Sequence, residues 1–75
     1  MARNKNMSDA DAFGKLTEDE QSKALWLAGR AEAGALGIKY HEKRGQSFQA
    51  DDCRKQLDEG LDGWNDMMKR GRQRG

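Results

Sequence analysis

Two side chains of this sequence are of the types most often used for catalysis or metal binding, His41 and Cys53. The chain has one histidine and one cysteine, whereas a structural zinc site needs four ligands, mostly Cys and His. Cys53 also falls on an apolar helical stripe, where a thiol behaves as a small hydrophobe rather than as a nucleophile. We therefore expect no metal site, no cofactor and no enzymatic activity, and a single cysteine excludes an internal disulfide.

Basic and aromatic residues that would suit RNA occur in two groups. Tyr40 is followed by Lys43 and Arg44, and a ring beside side chains that pair with phosphates is what single-stranded RNA recognition requires. The second group neutralises phosphates from the other end of the chain and consists of Lys69, Arg70, Arg72 and Arg74, with Arg3 and Lys5 in addition. A solvent-exposed linker and a solubilising basic tail would have the same composition, so both interpretations stay open.

A third group would suit a protein partner. Trp26 shares one side of a helical pattern with Arg30, and an exposed tryptophan beside an arginine is a typical interaction anchor. Phe13 and Leu16 folding back over Trp26 is an equally good interpretation. Three acids that recur every four residues form a face for a basic partner, or else an ordinary solvated face: Asp58, Asp62 and Asp66.

The composition indicates helices as the elements that position these residues. The 75 residues include no proline and no valine, and Ile38 is the one isoleucine, which argues against strands. Residues 17–66 carry a net charge of −4, residues 1–16 of +1 and residues 67–75 of +4. No stretch has the roughly 20 apolar residues of a membrane span or the pattern of a signal peptide, so we expect a cytoplasmic protein with no membrane contact.

Local patterns predict two helices. Thr17 and Glu20 have capping-box spacing, which starts a helix over residues 18–36, and Gly37 is expected to end it in a left-handed conformation. A second helix over residues 50–69 follows a linker. Together they form the domain, residues 17–70, between a flexible arm of residues 1–16, in which Ser8 and Asp11 cap one transient turn, and a basic tail of residues 71–75.

The two helices are expected to form an antiparallel hairpin by packing a small-residue face against a bulky stripe. The first helix places small residues on one face, and the second places larger apolar residues at steps of three and four. The residues predicted to hold the hairpin together are Ala28, Ala31, Ala35, Leu57, Leu61, Trp64 and Met68. The fold class predicted is therefore all-α, a two-helix antiparallel hairpin with flexible basic arms.

Two short motifs resemble those of the ribosome modulation factor family and its phage-borne relatives. They are Ala33-Gly34-x-x-Gly37 and Leu61-x-Gly63-Trp64-x-Asp66. The resemblance implies a helical hairpin that binds small-subunit ribosomal RNA and promotes inactive ribosome dimers during stress. The chain departs from that family in lacking a proline in the linker, in having Gly60 where a tryptophan is common, and in its acidic body.

Two functions follow as expectations. The leading one is a non-enzymatic translation regulator of the ribosome modulation type, which contacts ribosomal RNA through Tyr40, Lys43, Arg44 and the terminal bases. The alternative is a small helical inhibitor or adaptor, of the kind that phages encode, which binds a host protein through Trp26, Arg30 and the acidic face. Self-association as a homodimer is compatible with either.

Overall fold

A computed structural model describes residues 7–75 and shows three α-helices: α1 (Asp9–Gly14), α2 (Glu18–Lys43) and α3 (Ser47–Arg74). No strand occurs among these residues, so the prediction of an all-α fold is confirmed. α2 and α3 lie antiparallel, because Gly34 late in α2 contacts Cys53 early in α3, while Leu27 contacts Gly63. The predicted two-helix hairpin is incomplete, since it omits α1.

The predicted caps set the starts of α1 and α2. The Oγ1 of Thr17 accepts from the amide of Glu20 at 3.2 Å, and a carboxylate oxygen of Glu20 accepts from the amide of Thr17 at 2.9 Å. This reciprocal pair satisfies two donors that a helix start leaves free. At α1, Ser8 Oγ accepts from the amide of Asp11 at 3.2 Å, which is the predicted cap.

The end of α2 differs from the prediction. The helix continues through Gly37 to Lys43, and the left-handed residue is Gly45, with φ of +70°. Gly37 is helical, and Cys53 Sγ occupies the space that a Cβ at this position would need. A turn of residues 44–46 then reverses the chain, held by the amide of Gln46, which donates to the carbonyl of His41 at 2.9 Å.

α3 is longer than expected at both ends. It begins at Ser47 rather than near residue 50, and it runs to Arg74 instead of stopping before Gly71. Gly71 is buried, and a Cβ there would collide with the backbone of Ala12 in α1. Gly71 is therefore a contact point between helices, and residues 71–74 are helical rather than a flexible tail.

Glycines bring α2 and α3 into backbone contact. A Cβ at Gly34 would lie 2.8 Å from the carbonyl oxygen of Cys53 and 2.8 Å from the amide nitrogen of Leu57. A Cβ at Gly60 would lie 2.8 Å from the amide nitrogen of Ala31 and 2.8 Å from the carbonyl oxygen of Leu27. Each helix thus uses a glycine to admit the backbone of the other.

The contacting positions follow steps of three and four along both helices, as in a coiled coil. Two expected contact residues are wrong, because Ala35 is exposed and Leu61 keeps 44% of its surface exposed. The error is one of register, since Gly34 and Gly60 occupy the contact beside them. The less exposed positions at these steps are Ala24, Leu27, Ala31, Gly34 and Ile38 of α2, and Ala50, Cys53, Leu57, Gly60, Trp64, Met67 and Gly71 of α3, of which Trp64 and Gly71 contact α1.

The core lies where α1 joins the other helices. Ala12 and Leu16 are buried with Ala24, Met67 and Met68. Residues 7–16 of the expected flexible arm therefore include a packed helix, because Ala12 of α1 and Leu16 after it are buried in this core. Residues 1–6 of the predicted arm lie outside the described residues.

Trp64 packs against α1 rather than into an alanine-lined groove. Its ring stacks on Phe13 with centroids 6.5 Å apart and planes at 21°. Its indole Nε1 donates to Asp9 at 3.4 Å. Trp64 is thus half-buried and structural, and it leaves Phe13 unavailable to cover Trp26.

Candidate functional site

The residues predicted to bind RNA lie at the two ends of an elongated molecule, whose extents are 51 × 22 × 14 Å. Tyr40, Lys43 and Arg44 lie at the turn between α2 and α3, whereas the basic residues 69–74 lie at the far end of α3. At 1.5 Å per residue, roughly 35 Å of helix separates Ser47 from Arg70. The structure therefore does not join the two groups into one surface.

The turn forms an aromatic and basic cluster. The Cζ of Arg44 lies 5.3 Å from the centroid of the Tyr40 ring, and His41 meets the same ring edge-on with centroids 5.1 Å apart. Nδ1 of His41 donates to Oε1 of Gln46 at 2.7 Å, which fixes the imidazole against the turn. Tyr40 nonetheless keeps 57% of its surface exposed, so the ring is held in place and open to solvent.

Phe48 is a further exposed ring that follows the turn, and the sequence patterns did not mark it as a site residue. It is 86% exposed in the first turn of α3. The available signal was its position, because Phe48 falls outside the three-and-four pattern that runs from Ala50 to Gly71. A large ring at such a position is directed away from the interface and is open to a partner.

Arg54 forms ion pairs with the acidic side chains next to the turn. It pairs with Glu42 and, at 3.2 Å, with Asp51. Within residues 7–75, by contrast, Lys43 and Arg44 take part in no ion pair. The turn therefore presents positive charge although residues 17–66 as a whole are acidic.

The arginines at the opposite end are paired within the chain. Nη2 of Arg74 donates to Glu20 at 2.9 Å, Arg70 lies 3.7 Å from the same carboxylate, and Arg72 pairs with Asp9. The hydrogen bond from Arg74, followed by that from the amide of Thr17, lowers the pKa of Glu20 from 4.5 to about 2. These arginines bind α1 and α2, whereas Lys69 is exposed.

Arg3 and Lys5, which were grouped with these bases, lie outside the described residues.

The side of α2 that faces away from α3 carries exposed apolar residues. Trp26 is 61% exposed, with the Cζ of Arg30 5.1 Å from its ring centroid, and no part of α1 covers it. Arg30 also lies 3.6 Å from Glu59 of α3, which orients the guanidinium. Four large side chains line this outer face, each with more than half of its surface exposed: Leu25, Trp26, Leu36 and Tyr40.

The acidic ladder does not join that surface. Asp58, Asp62 and Asp66 are all exposed on the side of α3 that is directed away from α2. The predicted protein site is therefore divided between two sides of the helix pair. Trp26 and Arg30 stand with the exposed face of α2, and the three aspartates form a separate face.

His41 and Cys53 hold structural positions. Cys53 is half-buried with its sulfur against Gly37, and His41 is bonded to Gln46, so each side chain is engaged in the contact between helices or in the turn. Among the described helices, none combines the length and the apolar character needed to cross a bilayer. Comparisons of the chain with protein-family models, with curated proteins and with solved structures find no match.

Proposed function

We propose that this protein is a non-enzymatic regulator of translation that binds ribosomal RNA through the turn between α2 and α3. The observation that carries the proposal is the exposed Tyr40 ring, with Arg44 over the ring, His41 at its edge and Lys43 one turn further along α2. Bases of an unpaired RNA strand stack on such rings, and each stacking contact contributes about 1–3 kcal/mol. The neighbouring cations pair with the phosphates of the same strand.

The ribosomal assignment rests on the resemblance to the ribosome modulation factor family. Its motif glycines have a physical role that fits a shared hairpin. Gly34 and Gly37 admit the backbone and sulfur of Cys53, and Gly63 admits the side chain of Leu27. A Cβ at Gly63 would lie 2.7 Å from a methyl carbon of Leu27, so these motifs suit closely packed helices.

The arginines at the far end of α3 are paired within the chain, which limits the proposed RNA surface to the turn between α2 and α3. Arg70, Arg72 and Arg74 would have to give up Glu20 and Asp9 in order to reach phosphates. Lys43 and Arg44 need no such exchange among the described residues. The turn is therefore the proposed binding site, and the far end of α3 is proposed as structural.

A binding titration tests the surface. Fluorescence anisotropy with a labelled single-stranded RNA at low salt should show binding that Tyr40→Ala weakens by about 1–3 kcal/mol. Lys69→Ala, which removes an exposed base at the far end, is the matched control and should leave the affinity nearly unchanged. Equal losses in both variants would mean that binding is not confined to the turn.

The ribosomal partner needs its own test. Ribosomes incubated with the protein at low salt and separated by sedimentation should carry it in the small-subunit or ribosome-dimer fractions. Absence of the protein from every ribosomal fraction would reject the assignment to ribosomes, even if the turn binds free RNA.

A second function is favoured by one further observation, the exposed Trp26 with Arg30 over its ring. A small adaptor or inhibitor would use this pair as the anchor for a host protein. Trp26→Ala should then abolish capture of that protein from nuclease-treated lysate without reducing the helical content. Capture that depends on intact RNA, or that survives this change, would count against an adaptor.

A further inference from the structure

One side of α2 has no partner within the described chain. Its inner side packs on α3, yet its outer side is also apolar, with Leu25, Trp26 and Leu36 each 61% exposed. Large apolar side chains grouped on an exposed face usually mark an interaction surface. This outer face spans about 22 Å between Leu25 and Tyr40 at 1.5 Å per residue.

The middle of this face is built for close approach. Gly29 and Ala33 lie one turn apart between the large side chains, and a Cβ at Gly29 would meet nothing within 4 Å. Gly34 and Gly60 show how such positions work in this protein, because each admits the backbone of a neighbouring helix. The outer face thus repeats the construction of the inner one, with no helix against it.

The charges at the ends of α2 indicate what kind of helix would bind its outer face. The first turn of α2 is acidic, with Glu18 and Asp19 exposed, and its last turn and cap are basic, with Lys43 and Arg44 exposed. Within residues 7–75 none of these four side chains forms an ion pair. A helix of the same charge pattern, laid antiparallel, places acid against base at both ends.

We infer that the outer face of α2 binds the same face of a second copy of this chain, antiparallel and with two-fold symmetry. Such an interface is self-complementary. When the two-fold axis passes at the level of Ala31, residues about equally far before and after Ala31 meet across the interface. Helical periodicity places such residues on the same edge of the outer face. The resulting pairs are Glu18 with Lys43, Asp19 with Arg44, Ser22 with Tyr40, Leu25 with Leu36, and Gly29 with Ala33.

The inferred dimer is weak and reversible. The apolar part of the contact is a single pair of helices over about 22 Å, which we expect to bury less than the roughly 1,200 Å² of the smallest standard interfaces. The charge pairs at its ends are exposed and are weakened by salt. This inference goes beyond the proposed function and does not depend on it, although Tyr40, Lys43 and Arg44 belong to both surfaces.

The first test uses Gly29. Sedimentation equilibrium of the full chain, from ~10 μM to ~1 mM at low salt, should show the mass rising from 8.5 kDa towards that of a dimer. Gly29→Leu should weaken association at least about tenfold, because the side chain blocks the close approach. The monomer tolerates it, since the space around Gly29 is open. Asn65→Leu, on exposed α3, is the matched control and should associate like the wild type.

The second test uses the charges. Glu18→Lys alone, or Lys43→Glu alone, should weaken self-association roughly 5- to 30-fold, since two symmetric pairs become repulsive. An equimolar mixture of the two variants should regain the wild-type affinity, because every pair in the mixed dimer is again attractive. Circular dichroism of each variant checks that α2 remains folded.

Three outcomes would overturn the inference. A chain that stays monomeric at ~1 mM has no such dimer. Association that Gly29→Leu leaves unchanged uses another face. Charge variants that fail to restore each other in the mixture contradict the antiparallel arrangement. None of these results bears on RNA binding by Tyr40, so the two proposals fail separately.

Discussion

Replacing Gly60 by alanine should destabilise the protein, although alanine is the better helix former. The added Cβ would lie 2.8 Å from Leu27 O and from Ala31 N, which is 0.6 Å closer than the 3.4 Å at which ordinary contact begins. Both atoms belong to the backbone of α2, so no side chain can rotate away. The two helices must separate instead, and a gap of 0.5–1 Å forfeits about a quarter to a half of each neighbouring dispersion contact.

The net effect can be estimated from two terms. Overpacking of this kind costs about 1–3 kcal/mol, and exchanging glycine for alanine within a helix returns about 1 kcal/mol. We therefore expect Gly60→Ala to lower the free energy of unfolding by up to about 2 kcal/mol. A loss of about 1–2 kcal/mol corresponds to a melting temperature roughly 4–16 °C lower in a chain of this size.

Gly29→Ala is the matched control. Gly29 is also inside α2, but its Cβ would meet nothing within 4 Å, so only the helix-propensity gain of about 1 kcal/mol remains. Thermal unfolding followed by circular dichroism at ~5 μM, where the chain is monomeric, should place the two variants on opposite sides of the wild type. A Gly60→Ala protein as stable as Gly29→Ala would refute the backbone contact between α2 and α3.

Three further predictions concern the charges. The lowered pKa of Glu20 means that its stabilising contribution is present above pH 4.5 and is lost as the pH falls from 4.5 towards 2. Denaturant unfolding over that range should show a smaller fall in the free energy of unfolding for Glu20→Gln than for the wild type. Equal falls would contradict the pairing with Arg74. In the inferred dimer the two copies of Glu32 lie on the same edge near the axis and repel each other, so Glu32→Gln should tighten self-association about two- to fivefold by sedimentation, whereas weaker association would argue against this register. Because Lys43 and Arg44 serve both proposed surfaces, saturating single-stranded RNA should shift the dimer towards monomer with bound RNA, and an unchanged dimer fraction at saturation would mean that the surfaces are separate.

Local rules predicted the all-α class and the two caps, because Ser8 and Thr17 need only the amide three residues later. They failed at Gly37 and Gly71, which local rules assign to helix ends. Both lie inside helices, and their missing side chains admit Cys53 and Ala12 from other helices. Each of these contacts involves a residue distant in sequence.

The register of the interface was missed for a related reason. Steps of three and four through apolar residues alone favoured Leu61, whereas the observed positions at such steps include Gly60. A hydrophobic pattern is formed by apolar side chains, and glycine has none. The pattern therefore did not indicate Gly60, although Gly60 admits the backbone of α2. α1 escaped prediction because six residues have little helical stability alone and depend on the core at Ala12.

The candidate site was predictable only in part. Tyr40, Lys43 and Arg44 are close in sequence, and helical spacing keeps them together at the turn. The pairing of Arg74 with Glu20 joins residues 54 positions apart and has no local signature. The separation of Trp26 from the aspartate ladder likewise became visible only once α2 and α3 were placed side by side.

The central claim is that RNA binds at the turn and not at the far end of α3. It is tested most directly by titrating ¹⁵N-labelled protein with single-stranded RNA and mapping the amide shifts. The largest changes are expected on residues 39–48, and residues 69–74 should change little. Shifts concentrated on residues 69–74, or no shifts at saturating RNA, would contradict the central claim.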